Sequence, residues 1–295
     1  MSTPLAETNR GYYYISMKTI TVLTAVLLCF LPDSAFAWGF QTHLAIASNI
    51  LSSAEGIIKA YPAHFMLGNI FPDFFLFLKD FSQYKRNLET HSWKTVSELF
   101  NGVKSDGEQA FAHGYAAHLS ADIVAHNRFV PQHLMYMGKG RMGSHLMLEY
   151  AEEALHNNRY SGTMMKLMTE AEELGELFIR VMNIDPAFFT KEMHTLRLAL
   201  SYQKMFRLQK AVKAYKLATM PSFQEHCVSF RIEAEKLAGL SVSKGFEHLS
   251  DYDPTGKTAM EKAREKHDRL VKNVGIRKMK ERYRNGNVYS YTPTD

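Results

Sequence analysis

Cysteine is almost absent from this 295-residue chain, which has only Cys29 and Cys227. Cys29 lies in an N-terminal apolar stretch that reads as removable, so a processed chain keeps one thiol and closes no intrachain disulfide. That excludes the small disulfide-stapled scaffolds, and a chain of this length does not need such a staple. Long apolar runs are also scarce. Ile20 to Leu31 falls short of the roughly 20 residues that span a bilayer. Strand signals are few after residue 38, which argues against a sheet-based fold. No repeat, low-complexity block or long linker divides the sequence.

What is present fits one sizeable globular core: 46% of residues are hydrophobic and 22% charged. Lys18, the apolar run, and Ala35-Phe36-Ala37 have the basic start, apolar centre and small-residue site of a secretory signal peptide. Residues 1–37 are therefore predicted to be removed, with Met17 as the more natural start. Leu28 before Cys29 argues against a lipoprotein site. The product would be exported, periplasmic or secreted, and would begin Trp38-Gly39-Phe40.

Helical periodicity recurs near 43–60, 110–128, 143–157, 163–182, 222–239 and 258–282. It is also clear over 188–218, where Leu198, Tyr202, Met205, Leu208, Val212 and Tyr215 return every three or four positions. Pro62, Pro72, Gly102, Pro186, Pro221 and Asp253-Pro254 punctuate these segments. The expectation is an all-α, single multi-helix domain over 38–295. Its basic helical segment, 257–284, has 11 Lys/Arg against four Asp/Glu. Such a run is usually a solvated face, but it can also meet anionic lipid or nucleic acid.

The chemistry-bearing pattern centres on "HGYAAHLSADIVAH", residues 113–126. His118, Asp122 and His126 recur every four residues, one turn apart on one helical stripe. The alanines between them offer imidazoles no hydrogen-bond partner. His145 and Glu149 repeat the spacing, while His43, Asp73 and His91 precede the stripe. These five histidines and three carboxylates form one candidate set between 43 and 149. Imidazole plus carboxylate suits zinc and its neighbours. Singly, each is more often a satisfied core or surface residue. His64, His113, His133, His156 and His194 lack that company and read as structural.

In order, the mature Trp38, W-x4-H, G-x-x-x-P-D, H-S-W, H-x3-D and H-x3-E resemble the zinc-dependent phospholipase C and S1/P1 nuclease superfamily. That group includes the catalytic domain of glycosylphosphatidylinositol-specific phospholipase D. The motifs cover roughly residues 38–150. The resemblance implies an all-helical fold holding up to three zinc ions. It places Asp73, His91, His118 and Asp122 around one ion, and His126, His145 and Glu149 around a second. Trp38, through its freed amine and carbonyl oxygen, would join His43 and Asp122 around a third. Cleavage would then have a chemical purpose, because an amide nitrogen still joined to Ala37 has no useful lone pair.

The spacing also departs from the pattern. Phospholipase C and P1-type nucleases place five residues between the bridging Asp and the next His, where this chain has three. That spacing and Gly-Asn-Ile-Phe-Pro-Asp resemble the glycosylphosphatidylinositol phospholipase D branch. Glu149 is phospholipase-like, whereas W-x4-H matches the nucleases. The implied activity is hydrolysis of a phosphodiester by a metal-activated water, with Asp73 as ligand and general base. A phosphatidylcholine-like phospholipid is the expected substrate, with peripheral membrane contact. Phe71, Phe74, Phe75 and Phe77 could form an apolar lip for acyl chains, or pack a helix into the core. Two other readings stay open. One is a single-strand-preferring nuclease, the only case that brings nucleic acid as partner. The other is a non-catalytic exported metal-binding protein.

Overall fold

A computed structural model describes residues 38–76, 88–137, 141–205, 213–215, 217 and 219–286. The signal segment, the cleavage junction at Ala37, Phe77 and Leu208 to Val212 lie outside the described residues. Every element described is helical, with no strand among the described residues.

The chain runs through α1 (Phe40–Ser53), α2 (Gly56–Ala60), α3 (Pro62–Gly68) and a 3-10 turn, Phe71–Leu76. It continues through α4 (Trp93–Gly102), α5 (Asp106–Val124), a π turn (Ala125–Phe129), α6 (Val130–Met137) and α7 (Arg141–Glu153). Next come α8 (Ser161–Thr169), α9 (Ala171–Leu174), α10 (Glu176–Val181), α11 (Pro186–Met205) and α12 (Phe223–Lys244). The last two are α13 (Lys257–Val274) and α14 (Ile276–Arg284), separated at Gly275, whose φ of 84° suits glycine.

Helix α5 is the axis. It is buried on nearly every side, as a helix enclosed by other helices must be. Ser105 caps it by accepting from Glu108 N at 3.3 Å. Glu108 reaches back to Lys104 N and grips Arg180 of α10 through two guanidinium nitrogens at 2.7 and 2.9 Å. Ala117, Ala121 and Val124 of α5 join one apolar cluster with Trp38, Phe129, Phe223 and Phe230. Phe111, Tyr115 and Leu119 join another with Phe71, Phe178 and Phe189. The polar stripe of α5 runs between these two apolar bodies.

Close approach of α3 to α5 depends on two glycines. A Cβ on Gly114 would stand 2.1 Å from the Phe65 carbonyl oxygen, and one on Gly68 would stand 2.2 Å from that of Phe111. Both obstacles are backbone, which cannot yield. The crossing brings Asn69 against α5, where its amide donates to Gly114 O at 3.2 Å.

One expectation changes, and one pair of alternatives is decided. Leu198 and Tyr215 are 48% and 55% exposed, whereas Phe189, Met193 and Leu196 carry the buried face of α11. Periodicity found the helix but misplaced its inner stripe, because neighbouring helices choose which apolar residues they cover. Phe71, Phe74 and Phe75 are buried in a ring cluster with Phe178 and Phe189. They pack the 3-10 turn into the core and form no lip.

Candidate metal centre

The polar residues of the pattern arrive from several local devices. Asp73 sits in the 3-10 turn that follows the glycine crossing. His91 lies just before Ser92, whose hydroxyl caps α4 by accepting from Thr95 N at 3.2 Å. Its loop is pinned by Tyr115, whose hydroxyl donates to Thr90 O at 2.7 Å, and by Thr95, which donates to Glu89 O. His43 faces inward from α1, and His118 and Asp122 project from α5.

These five converge. His118 Nε2 is 3.1 Å from Asp122 Oδ2, 3.6 Å from Asp73 Oδ1 and 3.3 Å from His91 Nε2. His91 Nε2 is 3.3 Å from Asp73 Oδ1 and 3.4 Å from Asp122 Oδ2. His43 Nε2 approaches the other Asp122 oxygen, Oδ1, at 3.3 Å and its ring stacks on His118. His43, Asp73 and His118 form one grouping whose ligand atoms lie within 4.8 Å of one another, and His91, His118 and Asp122 form a second.

Beside them, the π turn widens the end of α5 and presents His126 next to His145, with ring centroids 6.1 Å apart. Inserted wide turns of this kind favour functional positions. His145 Nε2 lies 3.1 Å from Glu149 Oε1, yet neither atom is in hydrogen-bonding geometry. Trp38 is buried just ahead of α1, its indole edge-on to His43 at 6.5 Å and tilted on Phe129.

Proton placement shows what the arrangement accommodates. A carbonyl oxygen only accepts, so His118 Nδ1 donates to Asn69 O at 2.9 Å and His126 Nδ1 donates to Pro254 O at 2.7 Å. Both imidazoles then point an Nε2 lone pair inward, the arrangement in which metal-binding histidines are held. His126 Nε2, Asp73 Oδ2 and both nitrogens of His43 are buried without a hydrogen-bond partner. Lone pairs facing carboxylates in a buried pocket need a cation between them, and the donor set of imidazole and carboxylate suits zinc.

Without one, a proton substitutes. Burial pulls His91 down, but hydrogen bonds and charge from Asp122 and Asp73 outweigh it, raising its pKa to about 9. Burial, with His126 and Arg264 nearby, pushes His145 down to about 3. Burial also lowers His118 and His126. Asp122 is held well below the carboxylate range: burial works against ionisation, but His118 and His126 outweigh it. Glu149 is raised by burial and by Asp73, Glu153 and Asp122.

Some partners were invisible to spacing. The Pro254 carbonyl comes from 128 residues beyond His126, and nothing local signals it. Asn69 lies inside the G-N-I-F-P-D motif, but acts through its backbone. Glu153 falls one turn after Glu149, a third i, i+4 member that spacing could have flagged. Two of the remaining histidines have structural surroundings: His133 pairs with Tyr283 at 2.9 Å, and His113 packs on Phe100.

Residues 42–197 match the sequence model described as zinc dependent phospholipase C. That is 156 of 295 residues (197 − 42 + 1), more than half the chain. No curated protein and no solved structure matches.

Proposed function

Because the chain belongs to the zinc-dependent phospholipase C family, we propose that it is an exported hydrolase that splits phospholipids into diacylglycerol and a phosphorylated head group. The observation that carries this reading is the pair of buried imidazoles, His118 and His126, each with Nδ1 tied to a backbone carbonyl. Their Nε2 lone pairs are thereby committed to the pocket that also holds Asp73 and Asp122.

Asp73, His91, His118 and Asp122 would hold one zinc, and His126, His145 and Glu149 a second. Trp38, His43 and Asp122 would hold a third. Asp122 suits the shared position, because Oδ1 faces His43 while Oδ2 faces His91 and His118. Bound zinc supplies positive charge to a phosphodiester and lowers the pKa of a water molecule. Asp73 keeps Oδ2 without a partner, so it is placed to take the proton of an attacking water. The buried rings of Phe71 and Phe74 are available neither to stack bases nor to line acyl chains, so the lipid reading rests on the family and not on these aromatics.

Substrate delivery is proposed to use α13 and α14. Lys272, Arg277, Lys278, Lys280 and Arg284 are exposed there, and Ile276 is 52% exposed among them. A cationic face with an apolar tip fits an anionic lipid surface.

The processed protein, zinc-loaded, should release phosphocholine and diacylglycerol from phosphatidylcholine, with no nucleotides from single-stranded DNA. Phosphatidic acid as product would indicate D-type cleavage. Nucleotides without phosphocholine would replace the lipase with the nuclease. No turnover of either substrate by a zinc-loaded chain would favour a non-catalytic metal-binding protein.

A further inference from the structure

Glu152 and Glu153, at the end of α7, are buried and lie outside the ligand set. Glu153 Oε1 accepts from the backbone amides of Gln41 at 2.9 Å and Thr42 at 3.0 Å. These amides open α1, whose own N-cap, Gly39, supplies no side-chain acceptor. A residue more than a hundred positions away therefore caps the helix. Glu152 accepts from the Thr42 hydroxyl, and its other oxygen lies 3.4 Å from both Arg231 Nη1 and His156 Nε2. Gln41 adds bonds to Asn158 and to Tyr160 N.

Gly39 completes the clamp. A Cβ there would stand 2.5 Å from the Glu153 carboxyl carbon and 2.6 Å from its Cγ. The carboxylate thus packs directly on the peptide that joins Trp38 to α1. Gln41 and Thr42 are buried, so their amides cannot turn to water if Glu153 is withdrawn. His145, Glu149 and Glu153 follow one another every four residues on α7, one turn apart on the same face.

We propose that Glu153 is a positioning residue that anchors the Trp38–Thr42 turn, so that α7 both supplies proposed ligands and sets where the chain's own amino terminus lies. This rests on the reading that the Trp38 amine is a zinc ligand. Glu153 touches neither metal nor substrate; it acts through the backbone it caps.

The test is zinc content per chain, measured by emission spectrometry on protein expressed with its own leader and recovered after processing at Trp38. Glu153→Ala and Gly39→Ala should each retain one zinc fewer than wild type, with far-UV circular dichroism unchanged. Glu153→Gln keeps an acceptor oxygen and should retain the wild-type number. A purely structural cap would lower thermal stability in all three without this pattern of zinc loss and rescue. Wild-type zinc content in both Glu153→Ala and Gly39→Ala would overturn the proposal, and Gly39→Ala decides the matter if Glu153→Ala does not fold. The underlying reading fails separately: unprocessed wild-type chain carrying as much zinc as the processed form would remove the amine ligand.

Discussion

Asp122 has two oxygens that face different imidazoles, and its neighbours cannot replace it. Asp122→Asn should therefore lose more zinc than Glu149→Gln, because Glu149 meets one imidazole, His145, at 3.1 Å. Equal zinc content in the two variants, measured by emission spectrometry, would contradict the shared role. His91 gives a pH signature. With its pKa raised to about 9, it is protonated in the metal-free chain at pH 7. Zinc must displace that proton, so binding at pH 7 should release protons into a weak buffer. Affinity should climb as pH rises, and the release from His91 should vanish above about 9. The same raised value means that His91 stabilises the metal-free fold fully below about 6.5, an effect lost as pH rises through about 9. Binding at pH 7 without proton release would remove His91 from the ligand set. At this scale the i, i+4 spacing pointed to His118, Asp122, His126, His145 and Glu149, while His43, Asp73 and His91 followed from residue type and motif order along the chain. The backbone partners were not legible, because any residue carries a carbonyl.

Helix α5 shows how much of the site depends on packing between elements. Gly114→Ala would drive a methyl group into the Phe65 carbonyl, for which about 3 kcal/mol is expected, the upper end for overpacking. Asn69 would move with α3, so zinc affinity should fall together with the thermal midpoint. Gly239→Ala provides the contrast. It lies inside α12 with no atom within 4 Å of an added Cβ, so helix propensity should stabilise the fold by about 0.5–1 kcal/mol. A Gly114→Ala protein melting like wild type would show that the crossing is looser than described. Periodicity located α5, α11 and α12, yet it could not announce the π turn at Ala125–Phe129. That turn leaves the sequence spacing unchanged while redirecting His126 towards His145.

Across the whole molecule, charge is gathered at the C-terminal end. Vesicles containing phosphatidylserine should bind the protein at low ionic strength and release it in high salt, where exposed charges are screened. Reversal of Lys272, Arg277 and Lys280 to Glu should weaken sedimentation with those vesicles by at least about tenfold, taking roughly 1 kcal/mol per cation. Hydrolysis of a short-chain soluble lipid should be unaffected. Equal sedimentation of wild type and the reversed variant would assign α13 and α14 to the solvated face alone. No helix among the described residues is long and apolar enough to cross a membrane.

Composition and spacing alone determined that this chain is all-α and which side chains are suited to zinc, because helical period and ligand chemistry are local properties. Only the tertiary structure decided which lone pairs face inward, that Phe71, Phe74 and Phe75 belong to the core, and that Glu153 reaches back to α1. Those outcomes depend on which surfaces meet when helices pack, and two glycines permitting an unusually close crossing govern that meeting at α3 and α5.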